Sequence, residues 1–431
     1  MTDVARVIEA ARERREYSED VLRKLLRASR DGEEPVQRAV VLALRDLGWE
    51  VEALNRRPGV LNIQHEFAGP SEIDDRPRRT IVGGPPNRKL RSSDSRLLLW
   101  AHPDGMPFDG AADWAHDPFE GVVQDGRMYG WGVADDLSGV AAMIAVAAVL
   151  NDLDVDSPQV AVASTPSKGH ASGVVAALGA LGGVRAGIYL HPAESGRGLE
   201  DIKAVAPGML RFELTVKGRQ PDTREPNHTL FVDEGADPIR PMLKILDALE
   251  TFNESRKGWI SSGSPITMMV GTFHAGESIS RMPKDCRAVV TFSMPPGESL
   301  EGTRRAIEGI VSRVSDADDW AAPEPATIEW LFGTAGVEVS ESHPLYTTVS
   351  QAITQVTGSE PRHYGGHIAS EIRQPMLNHG IPSLGIGPRS GSLTQAGATA
   401  DEWLDLDDFN RMIAVCAISA LNWSRGTIFE T

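Results

Sequence analysis

The apolar positions of this chain follow two different patterns. Three short, continuous apolar runs, at 97–101, 159–165 and 188–190, each end in a group of polar residues. Continuous apolar runs are typical of strands that are buried on both faces of a sheet. Because helix-forming stretches alternate with these runs, the pattern predicts a largely parallel sheet whose polar strand ends meet at one edge.

Around residue 207 the pattern changes, and apolar residues begin to alternate with polar ones. The alternation predicts strands at 210–217, 265–270 and 287–292, with helices at 236–252 and 299–314. An antiparallel sheet covered by two helices has a hydrophobic core of its own. The middle of the chain is therefore predicted to be a smaller α+β domain inserted into the first domain.

Both ends of the chain contribute further elements to the first domain. Apolar spacing predicts helices at 3–30, 34–47, 343–357 and 406–423, and strands at 49–53, 62–67 and 383–386. We expect an α/β protein with a mostly parallel sheet flanked by helices and an inserted α+β domain. The predicted boundaries are 1–207 and 320–431 for the two parts of the main domain and 208–319 for the insertion.

Composition restricts the classes of partner. The 431 residues carry a formal net charge of -17, and no run of Lys and Arg supplies the basic patch that nucleic acids or anionic membranes require. Two cysteines are too few for a disulfide framework. The N-terminus lacks the apolar segment of a signal peptide, and the apolar run at 140–150 is too short to cross a bilayer. We expect a cytoplasmic protein that binds neither nucleic acid nor membrane.

A histidine and several carboxylates follow the first apolar run. His102 and Asp104 come directly after it, and a glycine-rich loop adds Asp135 and Asp136 before an apolar helix. Ligands bind at the strand ends of open α/β sheets, and imidazole and carboxylate groups suit zinc, manganese or iron. Asp104 is placed to orient the ring of His102. A His-x-Asp sequence alone is as often an ordinary polar loop, but the two further aspartates favour a metal site.

The stretch around these residues resembles a known enzyme family. The similar positions are His102-Pro-Asp104, Trp114, Asp117-Pro-Phe119, Asp125-Gly126, Tyr129-Gly-Trp-Gly132 and Asp135-Asp136. Together they look like the signature of the zinc aminoacylase/carboxypeptidase family, which includes glutamate carboxypeptidase, acetylornithine deacetylase and succinyl-diaminopimelate desuccinylase. Weaker similarity extends over residues 62–408. The resemblance implies the same two-domain organisation, in which the inserted domain often forms a dimer.

The resemblance also implies a set of metal ligands. Family members usually hold two metal ions bridged by one aspartate, and Asp135 matches that position while His102 matches a terminal ligand. A carboxylate after the third strand normally completes the first ion. Here His191 stands in that place and Glu194 follows three residues later. Either one of these residues, or both, is expected to coordinate the metal.

The second half of the family site is missing from this sequence. Relatives carry two adjacent glutamates where this chain has Ser167-Lys168, and a late histidine where residues 393–403 contain none. An ammonium at Lys168 would restore one positive charge beside Asp135. We therefore expect a single divalent transition metal, manganese, zinc or cobalt, rather than two ions.

The general base and the substrate-binding groups stay open at this point. Candidates that could hold or move a proton are Glu194, His170, Asp136 and, from the inserted domain, His228. By resemblance, Arg281 and Arg389 lie where relatives bind the substrate carboxylate, a group that the planar guanidinium fits. His367 and Glu371 replace a stretch that usually reads Gly-Gly-Thr-Asp, and His367 is included among the candidates for substrate binding.

Three functions agree with these residues. The first is a hydrolase that uses one metal to cleave a C–N bond of a small carboxylate-bearing substrate. Amide cleavage needs a base that also protonates the departing amine, the double role of the missing glutamate. An electron-poor aromatic ring that loses ammonia makes weaker demands, and the chain as a whole is similar to aminohydrolases of 5-nitroanthranilate. The alternatives are an amidohydrolase or dipeptidase of the same family and an inactive scaffold. A homodimer or higher homo-oligomer is expected.

Overall fold

The computed structural model describes residues 3–61, 63–69, 73, 75–86, 89–91, 96–105, 108, 113–153, 159–167, 172–257, 266–317, 321–367, 370–391 and 400–424. The chain divides into two compact units. Unit 1 comprises Met1–Gln64, Ile73–Ala206 and Glu338–Thr431, and unit 2 comprises His65–Glu72 and Pro207–Val337. Unit 2 thus extends beyond residue 319, where the sequence suggested a boundary, because a further strand at Thr327–Thr334 joins its sheet.

Unit 1 consists of helices and a large sheet, with elements numbered along the whole chain. Its helices are α1 Asp3–Glu13, α2 Arg15–Ser29, α3 Glu33–Asp46, α4 Ser138–Asp152, α5 Gly173–Ala180, α8 Pro344–Thr357, α9 Arg373–His379 and α10 Leu406–Ser424. Its strands are β1 Glu50–Arg56, β3 Arg78–Gly84, β4 Arg96–Ala101, β5 Val122–Gln124, β6 Arg127–Tyr129, β7 Val160–Ser164, β8 Val184–Tyr189, β9 Asp201–Lys203, β10 Val205–Ala206, β16 Arg362–Tyr364, β17 Ser383–Gly385 and β18 Trp403–Asp405.

The large sheet of unit 1 has the strand order β1-β3-β7-β4-β8-β17-β9-β16. Strand β4 lies at its centre and pairs in parallel with β7 and β8. Strand β8 pairs in parallel with β17, and β9 with β16. The pairs β1–β3, β3–β7 and β9–β17 are antiparallel. The predicted α/β fold is confirmed, and these antiparallel pairs make the sheet mixed.

Helix α4 directly follows the loop that contains Asp135 and Asp136. Every residue from Ser138 to Leu150 is buried, as expected for a helix that is apolar on all sides. The stretch Val133–Asp152 is long and apolar enough to cross a membrane, but 94% of its apolar segment is buried inside the fold. It packs in one core cluster with residues of α2 and α10, such as Leu25 and Ile413. We conclude that α4 is a core helix.

Unit 2 is an antiparallel sheet with two helices. Its strands are β2 Glu66–Ala68, β11 Gly208–Lys217, β12 Met268–Ala275, β13 Asp285–Met294 and β14 Thr327–Thr334, in the order β12-β13-β11-β14-β2, and its helices are α6 Ile239–Arg256 and α7 Leu300–Ser315. The two-residue strand β15 Val337–Glu338 lies at the boundary between the units. Strand β11 is buried at every second residue, and its inward side chains form a core with α6 and α7.

Two predicted elements differ from the structure. The expected helix at 3–30 is interrupted at Arg14, so that α1 and α2 are separate helices. The expected strand at 62–67 is reduced to Glu66–Ala68, and it pairs with β14 in unit 2 rather than with the sheet of unit 1. The second difference arises because apolar spacing identifies a strand but not the neighbour that it pairs with.

Candidate metal centre

The register of two parallel strands brings two histidines together. Trp100 in β4 is paired with Tyr189 in β8, and their rings stack with centroids 5.4 Å apart. His102 follows Trp100 by two residues, and His191 follows Tyr189 by two residues. The rings of the two histidines stack with their centroids 5.7 Å apart. Both histidines are buried. The parallel pairing therefore places two imidazoles side by side at one edge of the sheet.

Asp135 reaches these histidines from the loop before α4. Its Oδ1 atom lies 2.9 Å from Nε2 of His102 and 3.2 Å from Nε2 of His191. The loop can approach so closely because Gly139 has no side chain: a Cβ atom there would lie 2.0 Å from the carbonyl oxygen of Leu190. The peptide bond between Asp135 and Asp136 is cis.

The residues present fit a divalent metal. One ligand atom each from His102, Asp135 and His191 lies within 4.8 Å of the others. Burial, together with the charge of Lys203, lowers the pKa of His191 to about 3. Its ring is therefore neutral at pH 7, the form that binds metals. Two imidazoles and one carboxylate suit zinc, manganese or iron, and we name the set His102, Asp135 and His191 the triad.

Groups behind the triad orient His102. Its Nδ1 lies 2.6 Å from the backbone carbonyl of Asp104 and 3.5 Å from the Oδ1 atom of the same residue. The Asp104 carboxylate accepts hydrogen bonds from Arg78 at 2.8 Å and from the backbone N–H of Ser167 at 2.9 Å. Burial alone would raise the pKa of the Asp104 carboxyl. The hydrogen bond and charge of His102 and the charge of Arg78 have the larger combined effect, so the pKa is lowered. Asp104 thus acts on the ring mainly through its backbone oxygen.

Asp136 belongs to neither of the two groups of described residues with metal-ligand spacing. Its Oδ2 accepts the backbone N–H of His102 at 3.2 Å, which ties the loop to the end of β4. Burial, opposed by the charge of His102, raises its pKa well above the usual value for an aspartate. The geometry gives Asp136 a role in holding the loop.

Glu402 fixes the same loop, a role that the sequence did not suggest. This buried carboxylate accepts hydrogen bonds from the backbone N–H groups of Gly132 at 2.8 Å, Ala134 at 2.7 Å and Asp135 at 3.2 Å. Burial raises the pKa of Glu402 to about 7. The sequence signal was the position itself, within the segment where relatives carry a histidine.

A second cluster adjoins His191. Oε1 of Glu194 lies 2.6 Å from Nδ1 of His367, and His191, Glu194 and His367 form a second group with metal-ligand spacing. The Nζ atom of Lys203 lies 2.9 Å from Nδ1 of both His191 and His367. Lys203 has no exposed surface, so its Nζ atom is enclosed within the cluster. Burial raises the pKa of Glu194.

The remaining predicted site residues are Lys168, His170, His228, Arg281 and Arg389. Lys168 and His170 fall outside the described residues. His228 and Arg281 belong to unit 2, where the backbone N–H of Met282 donates to Nδ1 of His228. Arg389 is half exposed and donates to Glu200 at 3.1 Å. Among the predicted site residues that the structure describes in unit 1, His102, Asp135, His191, Glu194 and His367 form the two adjoining groups with metal-ligand spacing.

The chain matches the family model described as peptidase family M20/M25/M40 over residues 98–422. It belongs to this family. The matched region begins in β4 and ends in α10, so it contains the whole triad. The M20 membership confirms the family that the sequence motifs indicated.

Individual relatives are distant. The chain is 26% identical over 298 residues to succinyl-diaminopimelate desuccinylase of Caulobacter vibrioides, covering 66% of this chain and 72% of that protein. It is 24% identical to N-formyl-4-amino-5-aminomethyl-2-methylpyrimidine deformylase of Halalkalibacterium halodurans, covering 71% and 74%. A dinuclear metal-binding M20 peptidase of Bacillus subtilis superposes with a TM-score of 0.63 at 16% identity, covering 96% and 99%.

These findings establish the coarse activity. The chain is a metal-dependent hydrolase of the M20 family that acts on C–N bonds, and the triad has the spacing of a set of metal ligands.

Proposed function

We propose that this M20 enzyme uses one divalent metal and acts as an aminohydrolase that removes ammonia from an electron-poor aromatic amine, such as 5-nitroanthranilate. The observation that carries the proposal is the composition of the centre. One carboxylate and two imidazoles face each other in the triad, while Ser167 stands where relatives carry the glutamate base of amide hydrolysis.

Lys203 supports the single-metal part of the proposal. A second divalent ion would need ligands beyond the triad, and His191, Glu194 and His367 are the other group with suitable spacing among the described residues. The Lys203 ammonium already lies 2.9 Å from two of these rings. Two cations at such short range repel strongly in a buried site, so the lysine disfavours a second metal there.

The chain's own residues then divide the work. When bound, the metal lowers the pKa of a water molecule so that it can attack at neutral pH. The triad holds the metal, and Asp104, Asp136 and Glu402 hold the triad. Glu194, in contact with His367, is the group to which we give the transfer of a proton to the departing nitrogen.

The two possible reactions, amide cleavage and loss of ammonia from an aromatic ring, differ in the proton transfer that they require. An amide nitrogen is a poor leaving group, and its departure requires a well-placed acid that first served as base. An electron-poor ring accepts the charge of the attack itself, so the demand on the protein is smaller. The position of Glu194 near His191, rather than next to Ser167, agrees with the less demanding reaction.

Amide hydrolysis is the second candidate, because the two relatives named above are a desuccinylase and a deformylase. The same metal centre would serve either reaction. The two candidates differ in the product that appears: ammonia from an aromatic amine, or a carboxylic acid from an N-acyl compound.

The test is a turnover screen of the manganese-, zinc- and cobalt-loaded enzyme. Substituted anthranilates are assayed for ammonia release and N-acyl amino acids for acid release. We expect ammonia from a nitroanthranilate, and a fall of about 10²–10⁴-fold in kcat for Glu194→Gln. Glu254→Gln, at an exposed residue of unit 2 that pairs with Lys257, is the matched control and should keep full activity. Turnover of N-acyl substrates alone would reject the proposal in favour of the second candidate.

A further inference from the structure

A cavity of about 660 Å³ opens beside the triad within unit 1. Its lining includes Asp135 and Asp136 together with three aromatic side chains, Phe108, Phe119 and Trp131. The volume falls within the range of ordinary small-molecule pockets. A molecule held in this cavity therefore meets both a metal ligand and an aromatic surface.

The three rings leave part of their surface open. Phe108 packs edge to face against Trp131, with centroids 5.1 Å apart and planes at 70°, and against Phe119 at 5.2 Å and 72°. Trp114 also lies close to Phe108 and Trp131, and the guanidinium of Arg30 lies over the ring of Phe119, but all three aromatic residues still line the cavity. All three side chains are partly exposed rather than buried.

Trp131 is held at a fixed place relative to Asp135. Its backbone N–H donates to the carbonyl of Pro118 at 2.7 Å. The N–H groups of its two neighbours, Gly130 and Gly132, donate to the backbone oxygen and the carboxylate of Glu402 at 3.0 and 2.8 Å. The same carboxylate fixes Asp135. Glu402 thus positions both the backbone around Trp131 and the metal ligand Asp135.

We infer that this cavity is the ring-binding subsite of the enzyme, and that Trp131 and Phe108 select substrates that carry a flat aromatic ring. The inference rests on the proposed function, since it names where the aromatic part of that substrate binds. Aromatic rings gain from offset or edge-to-face contact with Trp and Phe, whereas a puckered aliphatic ring of the same size gains less.

The test compares two carboxylates that differ only in the ring. Binding of benzoate and of cyclohexanecarboxylate to the manganese-loaded enzyme is measured by calorimetry, so the result does not depend on turnover. Any contact between the carboxylate and the metal is common to both probes. We expect benzoate to bind about tenfold more tightly to the wild type.

Variants of the aromatic residues test which side chains cause the preference for benzoate over cyclohexanecarboxylate. Trp131→Leu should reduce the ratio of the two dissociation constants to about twofold, and Trp131→Phe should retain most of it. Phe273→Leu is the matched control, because Phe273 is an exposed aromatic residue of unit 2. It should leave the ratio unchanged. If Trp131→Leu fails to hold manganese, Phe108→Leu decides, with the same expected narrowing.

The outcomes separate this inference from the proposed function. A wild-type ratio near one, or a ratio that Trp131→Leu and Phe108→Leu leave unchanged, overturns the ring-binding subsite. Absence of anthranilate turnover while the ratio depends on Trp131 rejects the proposed reaction and keeps the subsite.

Discussion

Glu402 accepts hydrogen bonds from four backbone N–H groups of the loop that carries Asp135. Its two oxygens accept the N–H groups of Gly132, Ala134 and Asp135, and its own backbone oxygen accepts the N–H of Gly130. Groups that orient a metal ligand from behind matter nearly as much as the ligand itself. Glu402 is therefore a positioning residue for Asp135.

The variant Glu402→Gln tests this role. A glutamine offers one acceptor oxygen instead of two, so either Gly132 or the Ala134–Asp135 pair loses its partner and faces an NH₂ group. We expect manganese affinity, measured by competition with a chelating dye, to fall by about 10–100-fold. Unfolding should cost about 1–3 kcal/mol less. Glu254→Gln, at an exposed residue paired with Lys257, should change neither quantity. Wild-type affinity in a folded Glu402→Gln variant would contradict the role.

Residues differ in how far the sequence reveals them. His102, Asp135 and His191 follow strand ends or a glycine-rich loop, positions at which ligands gather, so pattern alone selects them. Lys203 and Glu402 could not be found in this way. A lysine in a strand and a glutamate near a helix start normally face water, and only the packing of the folded chain shows that both are buried.

At the scale of elements, the register between β4 and β8 decides the geometry of the centre. Trp100 pairs with Tyr189, and this single pairing sets His102 beside His191. The buried runs predicted both strands. The partner of each strand follows from the whole sheet, as the short β2, which pairs in unit 2, demonstrates.

Helix α8 begins with a titratable cap. Nδ1 of His343 accepts the backbone N–H of Leu345 at 3.1 Å, and burial lowers the pKa of His343 below its ordinary 6.5. The folded state therefore binds the proton more weakly than the unfolded chain does. The stabilisation from the cap is complete above the unfolded pKa and is lost as pH falls through the folded one.

His343→Asn keeps a capping oxygen that does not titrate. Between about pH 7 and about pH 5, the wild type should lose about 1 kcal/mol more unfolding free energy than the variant, the usual value of a cap. Urea unfolding followed by circular dichroism measures this difference. Equal pH dependence in the two proteins would show that the cap survives protonation.

At the scale of the whole molecule, the complete triad lies in unit 1. Its three residues come from 102, 135 and 191, all before the chain enters the main part of unit 2 at Pro207. The sequence predicted this division from the change between continuous and alternating apolar patterns. It ended the inserted domain at residue 319 because it predicted no strand where β14 lies, and β14 extends unit 2 to Val337.

The number of metal ions per chain is the quantity on which the account depends most. Metal-free enzyme is incubated with excess manganese, freed of unbound ion, and analysed by elemental mass spectrometry against protein concentration. One manganese per chain, lost in Asp135→Ala, is the predicted result. Two manganese ions per chain, with both lost in that variant, would contradict a centre in which the Lys203 ammonium disfavours a second cation.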